Sequence, residues 1–435
     1  MGRENKAKII LLILSGALSF CLILFFYVIF NSLGKNITLS SFFYSLGKLA
    51  GLTGFLFLSI LIFSGDTARF FDRFFGIDKI ILFQRKFALI TSLFVIFHPI
   101  FFIISSKSIL PYIIPDFSVI PLAWGIISLY FLIIIMTASI LYKRISYTIW
   151  QYLHILTYLL FFFSLYHAVK TGSDYNFLPI KLIYLIALVL ILIGIFYRTH
   201  YKIKQRASEK FYLKEIKKET DDTFTIALET KNKFLFRPGQ FCFLRLNKKG
   251  IYARHPFTIS SSPDKKDLEF TIKLKGRFTQ EALNLKKGDE VIVDGPFGIF
   301  TLDKAEEKDI IFIAGGVGIT PFYSMIKSQI KSNTKKDILL FYCSRTIKGT
   351  IFKKELDNIK EDWLKKVYIL SEDECEGHEK EKGIISKSII AKYTKDINNS
   401  IFFICGPEKM KDCAIKELKE LGVKKENMII EDFFW

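Results

Sequence analysis

Long apolar runs broken by short charged stretches occupy the chain as far as Arg198. Six of them, roughly 9–30, 45–65, 87–104, 121–142, 148–169 and 178–198, are long enough as helices to cross a hydrocarbon core of about 30 Å, and so predict six spans. The first run is too long for a secretory signal, and no small-residue cleavage pattern follows it, so it reads as a retained anchor. The segments on one side carry Arg3, Lys6 and Lys8, then Arg69, Arg73, Lys79, Arg85 and Lys86, then Lys143 and Arg144, then Arg198, Lys202, Lys204 and Arg206. The other side offers mainly Lys35, Lys48, Lys107, Lys170 and Lys181. This asymmetry places the N-terminus and everything after residue 200 in the cytoplasm, with the spans in the inner (cytoplasmic) membrane. Between Arg69 and Lys86, Phe70, Phe71, Phe74, Phe75 and Phe83 alternate with charges, which predicts an interfacial helix.

From about residue 207 the rhythm changes. Phe224-Thr-Ile-Ala-Leu and Phe241-Cys-Phe-Leu-Arg-Leu are short strand-like segments between charged turns, predicting a small antiparallel β-barrel. After residue 308 continuous apolar strands alternate with helices, beginning Asp309-Ile-Ile-Phe-Ile-Ala, and imply a parallel sheet. The expected fold is therefore a multi-domain membrane protein: a six-helix transmembrane bundle over 1–206, an antiparallel β-barrel over 207–305 and an α/β parallel-sheet domain over 306–435.

Composition sharpens this picture. There are 61 Lys plus Arg against 42 Asp plus Glu, a net charge of +19. The basic residues cluster at span ends, and the Lys-rich tail of the globule is balanced by nearby acids, so they point to membrane lipid rather than nucleic acid. Six cysteines without C-x-x-C spacing argue against both a disulfide framework and a structural zinc.

Three of the six histidines, His98, His154 and His167, fall inside spans three and five, where an imidazole needs a partner. Haem iron commonly takes imidazole as axial ligand, and two helices offering histidines at matching depth can clamp a porphyrin between them. His98 and His167 share one leaflet. His154 lies about 20 Å below His167, and its counterpart on span three is Gln84, a poor haem ligand. His98 precedes Pro99, a candidate kink. Arg85, Arg144 and Arg198 are read as contacts to lipid or as topology signals.

In the globule, Asp309-Ile-Ile-Phe-Ile-Ala breaks into Gly315-Gly-Val-Gly-Ile-Thr320-Pro321. A strand that ends in glycines and opens a helix lets backbone amides approach a pyrophosphate at the helix N-terminus. The next strand ends in Cys343-Ser344-Arg345, where a cofactor ribose would lie, and a cation there leans toward a 2′-phosphate. A last strand ends in Cys405-Gly406-Pro407, placing a thiol and a glycine at the carboxyl edge of the sheet.

Together these motifs resemble the ferric reductase and NADPH oxidase superfamily in a compact bacterial form, over about nine tenths of the chain. The resemblance implies a haem-binding bundle followed by a ferredoxin reductase-type module, with FAD in the barrel and NADPH (or NADH) in the α/β domain. It implies that His255, Pro256, Phe257 and Thr258 line the flavin, with Gly276 and Thr279 in a second flavin loop. Gly315, Gly316, Gly318, Thr320 and Pro321 form the nucleotide-phosphate loop, and Cys405, Gly406 and Pro407 the nicotinamide side. The ending Glu431-Asp-Phe-Phe-Trp resembles one in which an aromatic covers the flavin, Phe433 first and Trp435 second. The family's span-three motif begins with histidine, where this chain has Gln84-Arg85. One b-type haem on His98 and His167 is expected, and a second is open. Nicotinamide gives two electrons as hydride while haem iron accepts one, so a flavin must stand between them. The implied activity is electron transfer from cytosolic NAD(P)H to a small-molecule acceptor on the outer face, oxygen or a ferric chelate. The rivals are a haem-binding sensor or cytochrome subunit delivering electrons to a partner protein, and a soluble reductase merely tethered to lipid.

Overall fold

The computed structural model describes residues 3–33, 37–142, 144–206, 210–248, 251, 253–305, 308–332, 335–373 and 380–431. The chain divides into two compact units, Met1–Ala207 and Ser208–Trp435.

The first unit is helical: α1 (Arg3–Ser32), α2 (Leu39–Asp66), α3 (Ala68–Phe75), α4 (Ile77–Ser106), α5 (Leu110–Ile113), α6 (Ile120–Ile140), α7 (Tyr147–Thr171) and α8 (Leu178–Arg206). Among the described residues, six helical stretches are long and apolar enough to cross a membrane: Asn5–Asn31, Leu39–Asp66, Ile77–Ser106, Phe117–Ile140, Thr148–Thr171 and Leu178–Lys204. Exposed apolar side chains such as Leu12, Phe20, Leu93, Ile140, Leu185 and Phe196 face outward, as lipid contact demands. Thr38 caps α2 through a reciprocal box with Ser41, and Ser146 caps α7.

α2 packs along α4, and α6 along α7. Gly47, Gly51 and Gly54 bring α2 close to α4. A Cβ on Gly47 would lie 3.1 Å from the Phe102 ring, and one on Gly54 would lie 3.0 Å from Val95 Cγ2. Small residues on one helix face permit this close approach in a medium that supplies no hydrophobic drive between helices.

Two local expectations change. The Arg69–Lys86 segment is not one interfacial helix: α3 stops at Gly76, whose φ is +84°, and the remainder is the first part of α4. α4 is also one helix of 30 residues that runs through Pro99.

Among its described residues the second unit holds two six-stranded sheets. The first contains β1 (Phe211–Lys218), β2 (Thr223–Glu229), β3 (Phe241–Leu246), β4 (His255–Thr258), β5 (Leu268–Lys273) and β6 (Glu290–Phe297), antiparallel in the order β4-β3-β6-β1-β2-β5. Beyond β4 the chain crosses to the other edge. Ile259 bridges Phe270, and the Ser260 amide donates to Glu269 O at 2.8 Å, which closes the sheet around Phe224, Leu228, Leu244 and Ile272. One short helix, α9 (Arg277–Leu283), follows β5.

The second sheet contains β7 (Asp309–Gly315), β8 (Ile338–Ser344), β9 (Leu364–Leu370), β10 (Lys380–Lys382), β11 (Ser400–Cys405) and β12 (Met428–Ile430), all parallel, in the order β10-β9-β8-β7-β11-β12. Helices α10 (Thr320–Ile330), α11 (Lys353–Asp357), α12 (Lys387–Tyr393) and α13 (Glu408–Glu420) connect its strands. Both faces are covered, which is why β7 and β11 are apolar without alternation. Ser324 of α10 donates to Ser261 O at 2.6 Å, and Lys331 pairs with Asp264, tying the α/β half to the barrel half.

Candidate functional site

Strand order locates the first crevice. From β7 the sheet grows one way through β8, β9 and β10 and the other way through β11 and β12, so the topological switch lies between β7 and β11. Ligands of open parallel sheets bind at the carboxyl ends of the strands flanking such a switch. Here the two flanking strands end in Gly315 and Cys405. Beyond Gly315 the chain turns through Gly316–Ile319 into α10, with Gly316 at φ +51° and Pro321 in the first helical turn.

The glycines of the two loops touch. A Cβ on Gly318 would fall 2.3 Å from Cys405 O, and one on Gly406 would fall 3.0 Å from Gly315 N. Met410 Cε and Pro407 Cδ close over Gly315, at 2.8 and 2.9 Å from its hypothetical Cβ. Glycine is required at Gly318 and Gly406 by backbone-to-backbone proximity, while a Cβ on Gly316 would meet nothing within 4 Å. Cys405, Thr320 and Pro321 are all buried. Phe433 and Trp435 lie outside the described residues.

Ser344 ends β8 and Arg345 follows it. Ser344 Oγ donates to Thr346 O at 3.0 Å, holding the turn, while the largely exposed Arg345 lies 3.9 Å from Glu372. Glu372 is a neighbour that sequence reading misses, because it arrives from the end of β9.

The barrel supplies a second group. His255, Pro256, Phe257 and Thr258 form β4, paired with Leu244, Phe243, Cys242 and Phe241 of β3. Phe278, on α9, packs against His255 at 4.3 Å between ring centroids and stacks on Phe257 at 5.7 Å and 21°. Burial holds the His255 pKa below its ordinary value of 6.5, which favours a neutral ring. Thr279 Oγ1 accepts from the amides of Lys275 and Gly276 at 2.9 and 3.1 Å and fixes the turn that opens α9. An edge strand carrying aromatics beside an ordered turn suits a planar ring system bearing phosphate.

In the bundle the three intramembrane histidines separate into two places. His98 on α4 and His167 on α7 face each other, with ring centroids 6.1 Å apart and planes at 80°. His98 Nδ1 donates to Gly47 O at 2.8 Å and His167 Nδ1 donates to Pro121 O at 3.0 Å. A carbonyl can only accept, so the proton sits on Nδ1 in both rings and each Nε2 keeps its lone pair. Two imidazoles on opposite sides of one metal, with metal–nitrogen bonds of about 2 Å, have centroids roughly 6 Å apart. The pair fits haem ligation. Lys48, next to Gly47 in the chain, forms a part-buried ion pair with Asp174 at 2.7 Å.

His154 is apart from them. It packs on Trp150 at 4.0 Å, and its Nδ1 is buried without a hydrogen-bond partner. Gln84 Nε2 donates to Ser64 Oγ at 3.3 Å. No cluster of three or more His, Cys, Asp or Glu able to hold a metal occurs among the described residues. Near His154, one turn on along α7, Tyr158 donates to Asp66 Oδ1 at 2.6 Å, and Arg198 donates to the same oxygen and to Tyr158 Oη, both at 3.0 Å. Arg198 therefore points to a buried carboxylate of α2 rather than to lipid. Asp66 is invisible to sequence reading, because it looks like an ordinary helix terminus.

Comparison with known proteins follows the same divisions. Residues 50–165 match the ferric reductase like transmembrane component, 208–301 an FAD-binding domain and 312–416 the oxidoreductase NAD-binding domain. The chain is 32% identical over 196 residues to a component of the Na(+)-translocating NADH-quinone reductase of Marinomonas sp., covering 43% of this chain and 46% of that protein. It is 28% identical over 208 residues to the gamma component of sulfhydrogenase 2 of Pyrococcus furiosus, covering 45% of this chain and 71% of that one. The match thus spans less than half the length of the quinone reductase relative. Among solved structures the chain is similar to the CS-b5R domains of human Ncb5or, with 25% identity, 51% of this chain, 68% of that chain and a TM-score of 0.45. It is also similar to the cytochrome b5 reductase domain of Ulva prolifera nitrate reductase, with 22% identity, 52% of this chain, 98% of that chain and a TM-score of 0.47.

Proposed function

We propose that this chain, a multi-pass membrane oxidoreductase with the ferric reductase and NADPH oxidase architecture and an FAD- and NAD-binding reductase module, passes electrons from cytosolic NAD(P)H through FAD and one b-type haem to an acceptor on the outer face. The acceptor is a small oxidant, oxygen reduced to superoxide or chelated ferric iron reduced to ferrous. The observation that carries this reading is the opposed pair His98 and His167, two costly intramembrane imidazoles with both Nδ1 protons committed to carbonyls.

Bound flavin accepts hydride from nicotinamide and bound haem exchanges single electrons, which is the chemistry these groups bring. The chain's own residues bind and orient. Gly315, Gly316 and Gly318 let the backbone approach a pyrophosphate, where the start of α10 offers the positive end of its dipole. Cys405, Gly406 and Pro407 border the nicotinamide side of the same crevice. Arg345 favours NADPH by offering charge to a 2′-phosphate. His255, Pro256, Phe257 and Thr258, with Gly276 and Thr279 beyond, present the flavin surface. In the bundle His98 and His167 present lone pairs to one iron. Gln84 has its amide nitrogen engaged by Ser64, and an amide is a weak ligand, so a single haem is the reading. Lipid surrounds the bundle, the module lies in the cytoplasm, and the bundle crosses the inner membrane by the distribution of Lys and Arg.

The test is the haem-to-FAD ratio of detergent-purified protein, with reduced-minus-oxidised spectra on adding NADPH and then NADH. A ratio near one, with b-type bands appearing after flavin bleaching, is the expected outcome. A ratio near two overturns the single-haem reading, and flavin bleaching with haem left oxidised overturns the electron path. Superoxide detection and ferrous-chelator trapping, run side by side, separate the two acceptors.

A further inference from the structure

This inference rests on the reading of His98 and His167 as axial ligands and concerns what holds them. We infer that Gly51 and Gly125 are positioning residues, each leaving open the approach by which an imidazole reaches a carbonyl four residues earlier on a neighbouring helix. On α2 the carbonyl is Gly47 O and the ring is His98; on α6 the carbonyl is Pro121 O and the ring is His167.

The spacing has a physical cause. A helical carbonyl accepts from the amide four residues on and retains a second lone pair. A helical side chain leans back over the turn N-terminal to its own Cα, so the side chain at position i+4 covers the outer surface of the carbonyl at i. Glycine at i+4 uncovers it. A Cβ on Gly51 would lie 2.6 Å from His98 Nδ1 and 2.7 Å from its Cε1. One on Gly125 would lie 2.6 Å from His167 Nδ1 and 2.8 Å from its Cγ. Among the described glycines, only these two meet a histidine. The contacts are too short for the ring to stay in place if any side chain is added.

The same device thus occurs twice, once in the α2–α4 pair and once in the α6–α7 pair. Each copy fixes a tautomer, with the proton on Nδ1 and the lone pair on Nε2, and each fixes a ring plane. Partners on the far nitrogen of a metal-binding histidine set its orientation and basicity, and their loss costs about 10–100-fold in metal affinity. Because the two rings are held independently, their planes need not align, and they stand at 80°. His154 Nδ1 makes no hydrogen bond of this kind to a neighbouring helix.

The test uses the full chain purified in detergent with its haem, comparing Gly51→Ala, Gly125→Ala and Gly54→Ala. The last crowds Val95 in the same helix pair without touching a histidine. The ferric wild type is expected to give the highly anisotropic low-spin EPR signal of near-perpendicular imidazole planes. Gly51→Ala and Gly125→Ala are each expected to weaken haem retention about 10–100-fold and to move that signal, with FAD content unchanged, while Gly54→Ala keeps both. Unchanged haem affinity and EPR in the first two variants overturns the assignment, as does Gly54→Ala reproducing their losses. If a glycine variant does not fold, the wild-type spectrum decides: the rhombic signal of parallel rings overturns the assignment. Wild-type protein that carries FAD but no b-type absorption overturns the haem reading itself, and this assignment with it.

Discussion

Gly318 lies so close to Cys405 that a Cβ on the glycine would sit 2.3 Å from the cysteine's carbonyl oxygen. The contact joins the Gly316–Ile319 turn that leads into α10 to the end of β11 across the switch point of the sheet. Gly318→Ala must push the two loops apart, and hydride transfer depends on their spacing. NAD(P)H-dependent flavin bleaching is expected to fall more than about tenfold, since even small misplacement of reacting groups is costly. The barrel carries the proposed flavin surface, so FAD content should stay at the wild-type level. Stopped-flow absorbance of the flavin band measures the first and the protein-bound FAD ratio the second.

Arg345 is exposed and 3.9 Å from Glu372. If it offers charge to a 2′-phosphate, Arg345→Ala should raise KM for NADPH about tenfold or more while leaving KM for NADH within about twofold, a loss on the scale of one charge-assisted hydrogen bond. Glu372→Gln should act in the opposite sense by removing the competing carboxylate. Equal changes for both nucleotides would remove Arg345 from the site.

The Asp66 carboxylate, 2% exposed in its side chain, is held by Tyr158 and Arg198. Tyr158→Phe deletes a hydrogen bond to a charged group and should cost about 1.5–3 kcal/mol of bundle stability. Asp66→Ala removes the acceptor of both donors at once and should cost more than Tyr158→Phe, although the Arg198 side chain, 45% exposed, can turn to solvent and limits the loss. Thermal unfolding in detergent, followed by loss of monodisperse protein, ranks the two, and the reverse order would show that the carboxylate is not the centre of the cluster.

His255 provides a pH test. Burial holds its folded pKa below 6.5, so as pH falls through the ordinary histidine range the unfolded chain binds a proton that the folded one does not. Stability must therefore decline as pH drops from neutrality through 6.5, and the decline stops below the folded pKa. His255→Gln should flatten that slope. The melting temperature for flavin release, recorded from pH 7.5 to 5 in both proteins, should show a difference that grows toward acid, with the variant relatively better. A constant difference would mean that His255 titrates alike in both states.

Much of this architecture is legible in the chain. Six apolar runs, the change to alternating strands and the glycine-broken strand at Gly315 are local patterns, each dictated by a medium or a backbone geometry that acts over a few residues. The histidines stand out because imidazole is costly in hydrocarbon. Pairing is what no local pattern supplies. Asp66, Tyr158 and Arg198 come from three helices, and nothing nearby in the chain says that they meet. Glu372 and Arg345 follow neighbouring strands, and only the sheet order puts them side by side. Hydropathy also misplaces the start of span three, because the turn there depends on the positive φ of Gly76, which an apolar count does not register.

Burial, periodicity and side-chain chemistry, read along the chain, are enough to define the elements, their order and the residue types able to hold nucleotide, flavin and iron. That His98 and His167 share a depth follows from helix rise along the chain, but which carbonyls fix their protons and why Gly51 and Gly125 must lack a side chain emerge only from the folded bundle. Those are distances between helices far apart in the chain, and they are set by packing rather than by any neighbour in sequence.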